Sequence, residues 1–500
     1  MNAADASAVT YAKLRGTDPD RWLSTALAWR RWAALAGALC AEFGPLPARL
    51  RDSWSGPAAE AALAGLGALR RRAAFFRVVC WRVDQALSEF AAALGRARAL
   101  LDRACAAARR SGLVIDDSGT VHGHPGTPEA IRSVTGDLTT ALALAAEADS
   151  AASTRLSALA EIPPAPVPAS FPPCTAEPAE VRRWWEQWSP AERTWLLVTS
   201  PAAFAGADGI PIADRDVANR LLLDDARLEL DRMRAAGVDR GRLRDLRAGL
   251  DRLTARLEEE GGPRAYLIGL GLDGEGRAVV ALGDPDRSAH VLTHVPGMTS
   301  DLKSLGGELS RAERVAVRAG ELGPAQSASA VLWLDYDAPD FVHAAASDRQ
   351  ARAGAPELTR FQEALRVTHE GGPAHQTVLG HSYGSLVVGR AAAAGDLPAD
   401  SVVFVGSPGV GVDSAAELRF PADRVWSTTS LTDPIQYAAV SPKDVLPDGQ
   451  RHLWFGRDPS EPGFGARVFP SQFDAGHLGY WDRGGPALDA LARITLGETP

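Results

Sequence analysis

Gly380-His381-Ser382-Tyr383-Gly384-Ser385 is the stretch on which the reading of this chain turns. A short extended run, Gln376 to Leu379, precedes it, and a small-residue helical run, Leu386 to Ala393, follows it. A helix that begins almost on top of a strand leaves no room for side chains at the bend. Gly380 and Gly384 remove the two β-carbons that would collide there. Ser382 then projects its hydroxyl into the open at a helix N-terminus, where the macrodipole favours developing negative charge. Strand, G-x-S-x-G, helix is therefore the setting of a nucleophilic serine. In a chain with 48 glycines the pentapeptide alone carries little weight. Its meaning depends on a base, an acid and an oxyanion loop in the right order.

Those partners have candidates. Downstream of Ser382 stand two histidines, His452 and His477. His477, in Asp474-Ala475-Gly476-His477-Leu478-Gly479-Tyr480-Trp481, lies near the end of the domain, where the chain order Ser, acid, His places the base. His452 comes earlier, beside Arg451. The acid is expected in a loop after the penultimate strand. Asp433, in Ser430-Leu431-Thr432-Asp433-Pro434, follows the extended run Arg424 to Ser427, with Pro434 fixing the turn. Asp413 is the alternative, and whichever is not the acid is expected in a turn or cap hydrogen bond. Two backbone N–H groups are needed for an oxyanion hole. Tyr383, after the nucleophile, supplies one. Met298, in Val295-Pro296-Gly297-Met298, supplies the other, with Gly297 allowing close approach.

Five hundred residues exceed a single core, so several domains are expected. The apolar fraction of 46% and charged fraction of 23% are those of globular protein. Residues 1–160 hold 19 Lys and Arg against 15 Asp and Glu, and the remainder 34 against 47. Neither part has the basic stripe of a nucleic-acid binder. Cys40, Cys80, Cys105 and Cys174 form no C-x-x-C pair, so no structural zinc site is expected. The sequence from Met1 to Asp5 lacks a basic segment leading into an apolar core, and no run of 18 apolar residues occurs. Neither a Sec-type signal nor a membrane span is expected, which makes the cytoplasm the expected compartment. No cofactor is expected. G-x-x-x-x-G-K is absent, and Gly269, Gly271 and Gly274 fit G-x-G-x-x-G but lead into a hairpin turn rather than a helix.

Upstream, Asp18-Pro19-Asp20 starts a helix with apolar steps at Trp29, Trp32, Ala36, Leu39 and Phe43, and Gly44-Pro45 stops it. After Trp54-Ser55-Gly56-Pro57 a long seam runs Leu66, Leu69, Ala73, Phe76, Cys80, Val83, Leu87, Phe90, Leu94, Ala97, Leu101, Ala104, Ala108. Its alternating steps of three and four predict coiled-coil packing, with Cys80 a buried thiol. Helix, Trp-x-Gly turn and long antiparallel helix resemble the WXG100-type hairpin of actinobacterial proteins over roughly residues 20–111. The resemblance implies a type VII-like secretion context. The family's Tyr-x-x-x-Asp/Glu export signal has no counterpart after the second helix, since no tyrosine stands between Tyr11 and Tyr266. Tyr336 and Asp340 have the spacing but sit at a strand end. A β-hairpin over Gly112 to Val121 and a helix over Pro128 to Leu159 follow.

The domains are expected at 1–160 (helical), 161–178 (a Pro-rich linker), 179–262 (helices covering the next domain, with a cluster of Trp184, Trp185, Trp188 and Trp195) and 263–500. In the last, extended runs at Ala265 to Leu270, Ala278 to Leu282, Ala289 to Val295, Ala330 to Tyr336, Ser401 to Val405 and Arg424 to Ser427 interleave with helices near Leu302 to Ala319 and Pro356 to Glu370. That alternation predicts an α/β fold, a mostly parallel sheet with helices on both faces.

The chain from about 180 to 485 resembles the actinobacterial α/β-hydrolase family known as DUF1023. The motifs are Gly209-Ile210-Pro211 with Arg215-Asp216 and Asn219-Arg220, Val295-Pro296-Gly297-Met298, Tyr336-Asp337-Ala338-Pro339, the hexapeptide above, Val405-Gly406-Ser407-Pro408-Gly409-Val410-Gly411-Val412-Asp413, Asp433-Pro434 and Phe464-Gly465-Ala466-Arg467. The resemblance implies an α/β-hydrolase fold and a serine nucleophile. The expected function is a serine hydrolase cleaving an ester or similar acyl bond of a small-molecule or lipid substrate through an acyl-enzyme. The alternative is a secretion-associated interaction protein or effector whose helical hairpin binds a partner or dimerises. Tyr437, Trp454, Phe455, Phe464, Phe469 and Phe473, between acid and base, are expected as an apolar lid or as ordinary core.

Overall fold

The Asp18 carboxylate accepts the backbone N–H of Asp20 and opens the first long helix, with Pro19 in its first turn where a missing N–H costs nothing. The computed structural model describes residues 9–124, 126–159, 171–173, 175–340, 345–395, 397–437 and 452–500. Most of the Pro-rich linker, and Cys174, lie outside the described residues. The chain forms two compact units. One comprises Met1–Pro168, Trp188–Thr199 and Gly262–Arg264; the other comprises Ala169–Gln187, Ser200–Gly261 and Ala265–Pro500.

In the first unit the helices are α1 (Tyr11–Gly16), α2 (Pro19–Phe43), α3 (Leu46–Ser53), α4 (Pro57–Arg110) and α5 (Pro128–Ala158), with a small antiparallel hairpin of β1 (Val114–Ile115) and β2 (Val121–His122). At 54 residues α4 is about 80 Å long. Both α2 and α5 pack on it, each antiparallel: Trp22 meets Phe90 edge-on, and Arg155 pairs with Glu89. Asp84 of α4 is fully buried and holds two guanidiniums, Arg30 at 3.0 Å and Arg264 at 2.9 Å.

The seam of α4 is filled from Cys80 to Ala108, but Leu69 and Phe76 are exposed. On α2 the buried positions are Ala26, Ala33, Ala36 and Gly37, while Trp32 and Leu39 face solvent. The expected seam is therefore too long, and on α2 it is displaced. The carboxyl end of α5 lies at the level of Val83 and Leu87, so α5 does not continue over the rest of the pair. There Trp32, Leu35, Leu39, Phe43, Leu69 and Phe76 line an open apolar groove of about 450 Å³. Small residues on α2 let the long side chains of α4 reach across, and a β-carbon at Gly37 would sit 2.8 Å from the Arg77 guanidinium. Burial pushes the Cys80 thiol up to about 11, so it behaves as an apolar filler.

Around the unit boundaries run α6 (Pro178–Glu186), α7 (Pro190–Thr199), α8 (Ile212–Ala235) and α9 (Arg240–Glu258). Ser189 and Glu192 close a reciprocal capping box ahead of α7. The tryptophans divide. Trp195 lies tilted against Phe75 within the first unit, whereas Trp184 and Trp185 pack on Phe204 in the second, where Trp185 Nε1 donates to Asp214 at 2.7 Å. Arg215 and Asn219 of α8 both donate to the Ile268 carbonyl, which ties α8 to the sheet.

The second unit is built on β3 (Ala265–Gly271), β4 (Arg277–Leu282), β5 (His290–Val295), α10 (Leu305–Leu322), β6 (Ala328–Leu334), α11 (Arg349–Thr368), β7 (His375–His381), α12 (Gly384–Ala394), β8 (Ser401–Val405), β9 (Val425–Thr428), a two-residue hairpin of β10 (His452–Leu453) and β11 (Gly456–Arg457), β12 (Arg467–Val468) and α13 (Pro486–Thr495). Among the described residues eight strands form one sheet in the order β12-β9-β8-β7-β5-β6-β4-β3. Only β4 runs antiparallel to its neighbours, β3 and β6, and the other pairings are parallel, so the fold is α/β with a mostly parallel sheet, preceded by a mainly helical region. The edge strand β12 has no counterpart among the expected runs, because two residues leave no periodic signal. Expected to open its helix, Pro356 instead lies inside α11, which starts at Arg349. Asp348 anchors that start by accepting from Arg352 at 2.6 Å and Arg390 at 2.8 Å.

One core layer lies between the sheet and α11 and α12, with Phe361, Leu365, Leu386 and Val388 against Val295, Val378 and Phe404. The opposite face carries α10 and α13, with Val315 and Leu491 against Leu379 and Val403. The strand order reverses where β5 meets β7. In open parallel sheets that point, at the carboxyl ends of the strands, is where the crevice for a ligand forms.

Candidate functional site

Ser382 sits between the end of β7 and the start of α12 with φ of 53°, a left-handed conformation that a non-glycine residue adopts only under constraint. Its N–H donates to the Val405 carbonyl at 3.0 Å, and its own carbonyl accepts from Ser385 at 3.0 Å. The glycines on either side are needed for contact. A β-carbon at Gly380 would lie 2.6 Å from Ser385 Cα, and one at Gly384 would lie 2.2 Å from the Val295 carbonyl. The elbow is thus pressed against its own helix at Gly380 and against the end of β5 at Gly384.

Beyond β5 runs Pro296-Gly297-Met298-Thr299. Tyr336 donates its hydroxyl to the Pro296 carbonyl at 2.6 Å, and Thr299, at φ 63°, donates its N–H to the Pro339 carbonyl at 3.0 Å. A β-carbon at Gly297 would stand 3.1 Å from Ser382 Oγ, so this loop passes close to the hydroxyl. Met298 is half-buried against the core. Tyr383 occupies the N-cap of α12, where a helix has no carbonyl of its own for the N–H. The Tyr383 ring is buried, with its hydroxyl donating to the Ser347 carbonyl at 2.6 Å.

His477 and Asp433 meet. The imidazole Nδ1 is 2.9 Å from both oxygens of Asp433, which is fully buried. Acting as donor to a carboxylate fixes the Nδ1–H tautomer and leaves Nε2 as an acceptor. The carboxylate has two further donors: Tyr480 OH at 2.6 Å and the Ile435 N–H at 2.9 Å. Tyr480 in turn accepts from the Ser430 N–H at 2.9 Å. Burial, then the bond to Asp433, pushes its phenol well above the ordinary value. The two loops are stitched together, since Ser430 and Thr432 both donate to the Phe473 carbonyl and Gly476 N–H donates to Thr432.

Asp413 lies elsewhere. It is exposed and accepts the Arg457 N–H at 3.0 Å, a contact between segments 44 residues apart rather than a local turn or cap bond. The side chain of His452 is outside the described residues.

Three contributors were not among the expected site residues. Gly406, at the end of β8, has φ of 54°, and a β-carbon there would fall 2.7 Å from Asp433 Oδ2 and 3.3 Å from the His477 ring. Tyr480 reads as one aromatic among many, although its position three residues after His477 places both on one turn. His381 reads only as the variable letter of G-x-S-x-G. It is buried, and its Nε2 lies 3.0 Å from the His477 carbonyl.

The aromatic stretch between acid and base divides. Phe464 and Phe469 are core, while Tyr437 and Phe473 are 71% exposed, and Leu431 and Leu478, on the loops that carry Asp433 and His477, are exposed too. Among the described residues no group of three His, Cys, Asp or Glu side chains is placed to hold a metal, and no helix is long and apolar enough to cross a membrane.

Comparison with known proteins agrees with this architecture. Residues 273–442 match the family model described as alpha/beta hydrolase. The chain is similar to the uncharacterized protein Rv2079 of Mycobacterium tuberculosis, 31% identical over 376 residues, which is 65% of this chain and 56% of that protein. It is also similar to the uncharacterized protein Mb0988c of Mycobacterium bovis, 35% identical over 208 residues, which is 40% of this chain and 76% of that protein. The chain thus spans little more than half the length of the first of these relatives. No solved structure matches it.

Proposed function

This chain belongs to the alpha/beta hydrolase family, and on that premise we propose that it is a serine hydrolase that cleaves carboxylic esters through an acyl-enzyme. The observation that carries the reading is the His477–Asp433 pair, with its tautomer set, at the same carboxyl edge of the sheet as a serine held in a left-handed elbow.

In this mechanism His477 Nε2 accepts the Ser382 proton as Oγ attacks the ester carbonyl carbon. Asp433 keeps Nδ1 protonated and stabilises the imidazolium that forms. The C–O π electrons move to the carbonyl oxygen, which takes hydrogen bonds from the Tyr383 and Met298 N–H groups; loss of one such donor costs about 3 kcal/mol. Collapse expels the alcohol, which takes the proton from His477. Water then repeats the sequence on the acyl-enzyme and releases the acid. The apolar side chains Leu431, Phe473 and Leu478 beside the pair favour an acyl group with an apolar chain over a charged one.

Hydrolysis of p-nitrophenyl esters of graded acyl length, compared between the wild-type chain and Ser382→Ala, tests the proposal. It predicts turnover by the wild type only. Equal release by both proteins overturns it.

A further inference from the structure

The buried groups behind the Ser382 elbow are not used by that mechanism, yet they form a connected set. His381 closes β7 immediately before the nucleophile. Its Nε2 stands 3.0 Å from the main-chain carbonyl of His477. A carbonyl only accepts, so Nε2 carries the hydrogen and Nδ1 does not. Nδ1 is buried and has no partner among the described residues. The His381 ring also lies against the His477 ring, with centroids 4.7 Å apart and planes inclined by 37°. It also meets the Trp481 ring at right angles, with centroids 5.0 Å apart.

Trp481 links this pair to a second one. Its ring meets His294 at 5.6 Å, His294 Nε2 reaches Glu308 at 3.1 Å, and Arg311 pairs with Glu308 while lying over the Trp481 ring at 5.5 Å. The titratable groups around His381 are therefore His477 with Asp433 in front, and His294, Glu308 and Arg311 behind. Burial first, then the neighbouring His477, holds the His381 pKa well below the ordinary imidazole value. A proton at Nδ1 would have no acceptor and would face the histidine that must itself become positive.

We propose that His381 is a positioning residue for His477: its Nε2–H fixes the main chain of the base, and its neutral ring face lies against the imidazolium when His477 takes the serine proton. This rests on the reading of Ser382, His477 and Asp433 given above. The role requires both the hydrogen-bond donor and the absence of charge. Glutamine carries an amide donor at similar reach without a titrating group. Phenylalanine keeps a ring but has no donor.

The test uses the full chain with a fluorophosphonate probe, whose rate of attachment to serine reads nucleophile activation without knowledge of the substrate. Labelling rates are followed from about pH 5 to about pH 9, the range that spans imidazole titration. In His381→Phe the plateau rate falls about ten-fold, equivalent to ~1.4 kcal/mol, and the acid limb moves to lower pH because the base is less firmly held against Asp433. In His381→Gln the plateau stays within about three-fold of wild type, or ~0.7 kcal/mol. A Phe variant with the wild-type plateau and limb overturns the proposal. So does a pair of variants that lose rate in proportion to thermal stability with the limb unmoved, which is the behaviour of a packing residue. A wild type that does not label overturns the serine reading and this proposal with it. Histidine-selective ¹⁵N NMR on the wild type needs no variant to fold. It should show His381 as the neutral Nε2–H tautomer throughout the range in which an unperturbed imidazole protonates, and protonation of that ring near pH 6.5 contradicts the role.

Discussion

Replacing Gly406 by alanine tests the packing that holds the acid and base together. The position has φ of 54°, so any side chain there is strained by about 1–2 kcal/mol. The new β-carbon would lie 2.7 Å from Asp433 Oδ2, about 0.7 Å closer than the 3.4 Å at which ordinary contact begins. The carboxylate cannot swing away freely. Tyr480 OH holds the same oxygen at 2.6 Å, His477 Nδ1 holds both oxygens at 2.9 Å, and the Ile435 N–H holds the other. The overlap is relieved by moving Asp433 and His477 together, and a misplacement on the order of 1 Å costs about 100-fold in rate. Gly406→Ala is therefore expected to fold, to lose about 1–3 kcal/mol of stability, and to show kcat reduced about 100-fold with KM little changed. Gly371→Ala is the control, because Gly371 has φ of 90° but nothing within 4 Å of a β-carbon. It should lose similar stability and keep its activity. Ester hydrolysis and denaturant titration on both variants decide the matter. A Gly406→Ala protein with wild-type kcat, or a Gly371→Ala protein equally impaired, refutes the reasoning.

Other outcomes follow from particular contacts. Tyr480→Phe removes the donor to Asp433 and the acceptor of the Ser430 N–H; stability should fall by about 1–3 kcal/mol in denaturant titration, with labelling slowed at Ser382. Asp84→Ala removes the buried carboxylate that pairs with the Arg30 and Arg264 guanidiniums, and the unfolding free energy should drop by about 3–5 kcal/mol. By contrast Leu39→Glu, on the exposed groove, should stay within about 0.5 kcal/mol of wild type, whereas Leu94→Ala in the filled seam should cost about 2–5 kcal/mol. Burial alone would raise Glu308, but the His294 hydrogen bond and the charges around it outweigh burial and hold the carboxyl at about 2, below its ordinary 4.5. Its folded-state pKa is depressed, so its stabilisation is full above about pH 4.5 and is lost as pH falls toward 2. Acid unfolding should show that loss, and His294→Gln should reduce it.

Local signals carried much of the architecture. Strand, glycine-flanked serine and helix are contiguous, so the elbow was legible in six residues. Chain order then separated His477 and Asp433 from His452 and Asp413 as the expected pair. Contacts between distant segments were not legible. Gly406 directly follows β8, yet its meaning comes from Asp433 after β9 and His477 far downstream. His381 is a variable position in the motif, and only the folded chain shows what its nitrogen reaches. Heptad spacing continued through Leu69 and Phe76 because periodicity reports a stripe on one helix, not where its neighbour stops. Pro356 was misplaced for the converse reason: a proline suits a helix start, but Asp348 already anchors one seven residues earlier.

Mass-mapped fluorophosphonate labelling of the full chain addresses the central claim most directly. It predicts one adduct, on the peptide carrying Ser382. Labelling should be abolished in Ser382→Ala and slowed by orders of magnitude in His477→Ala. An adduct on another serine, or labelling of Ser382 at the same rate without His477, would contradict the account.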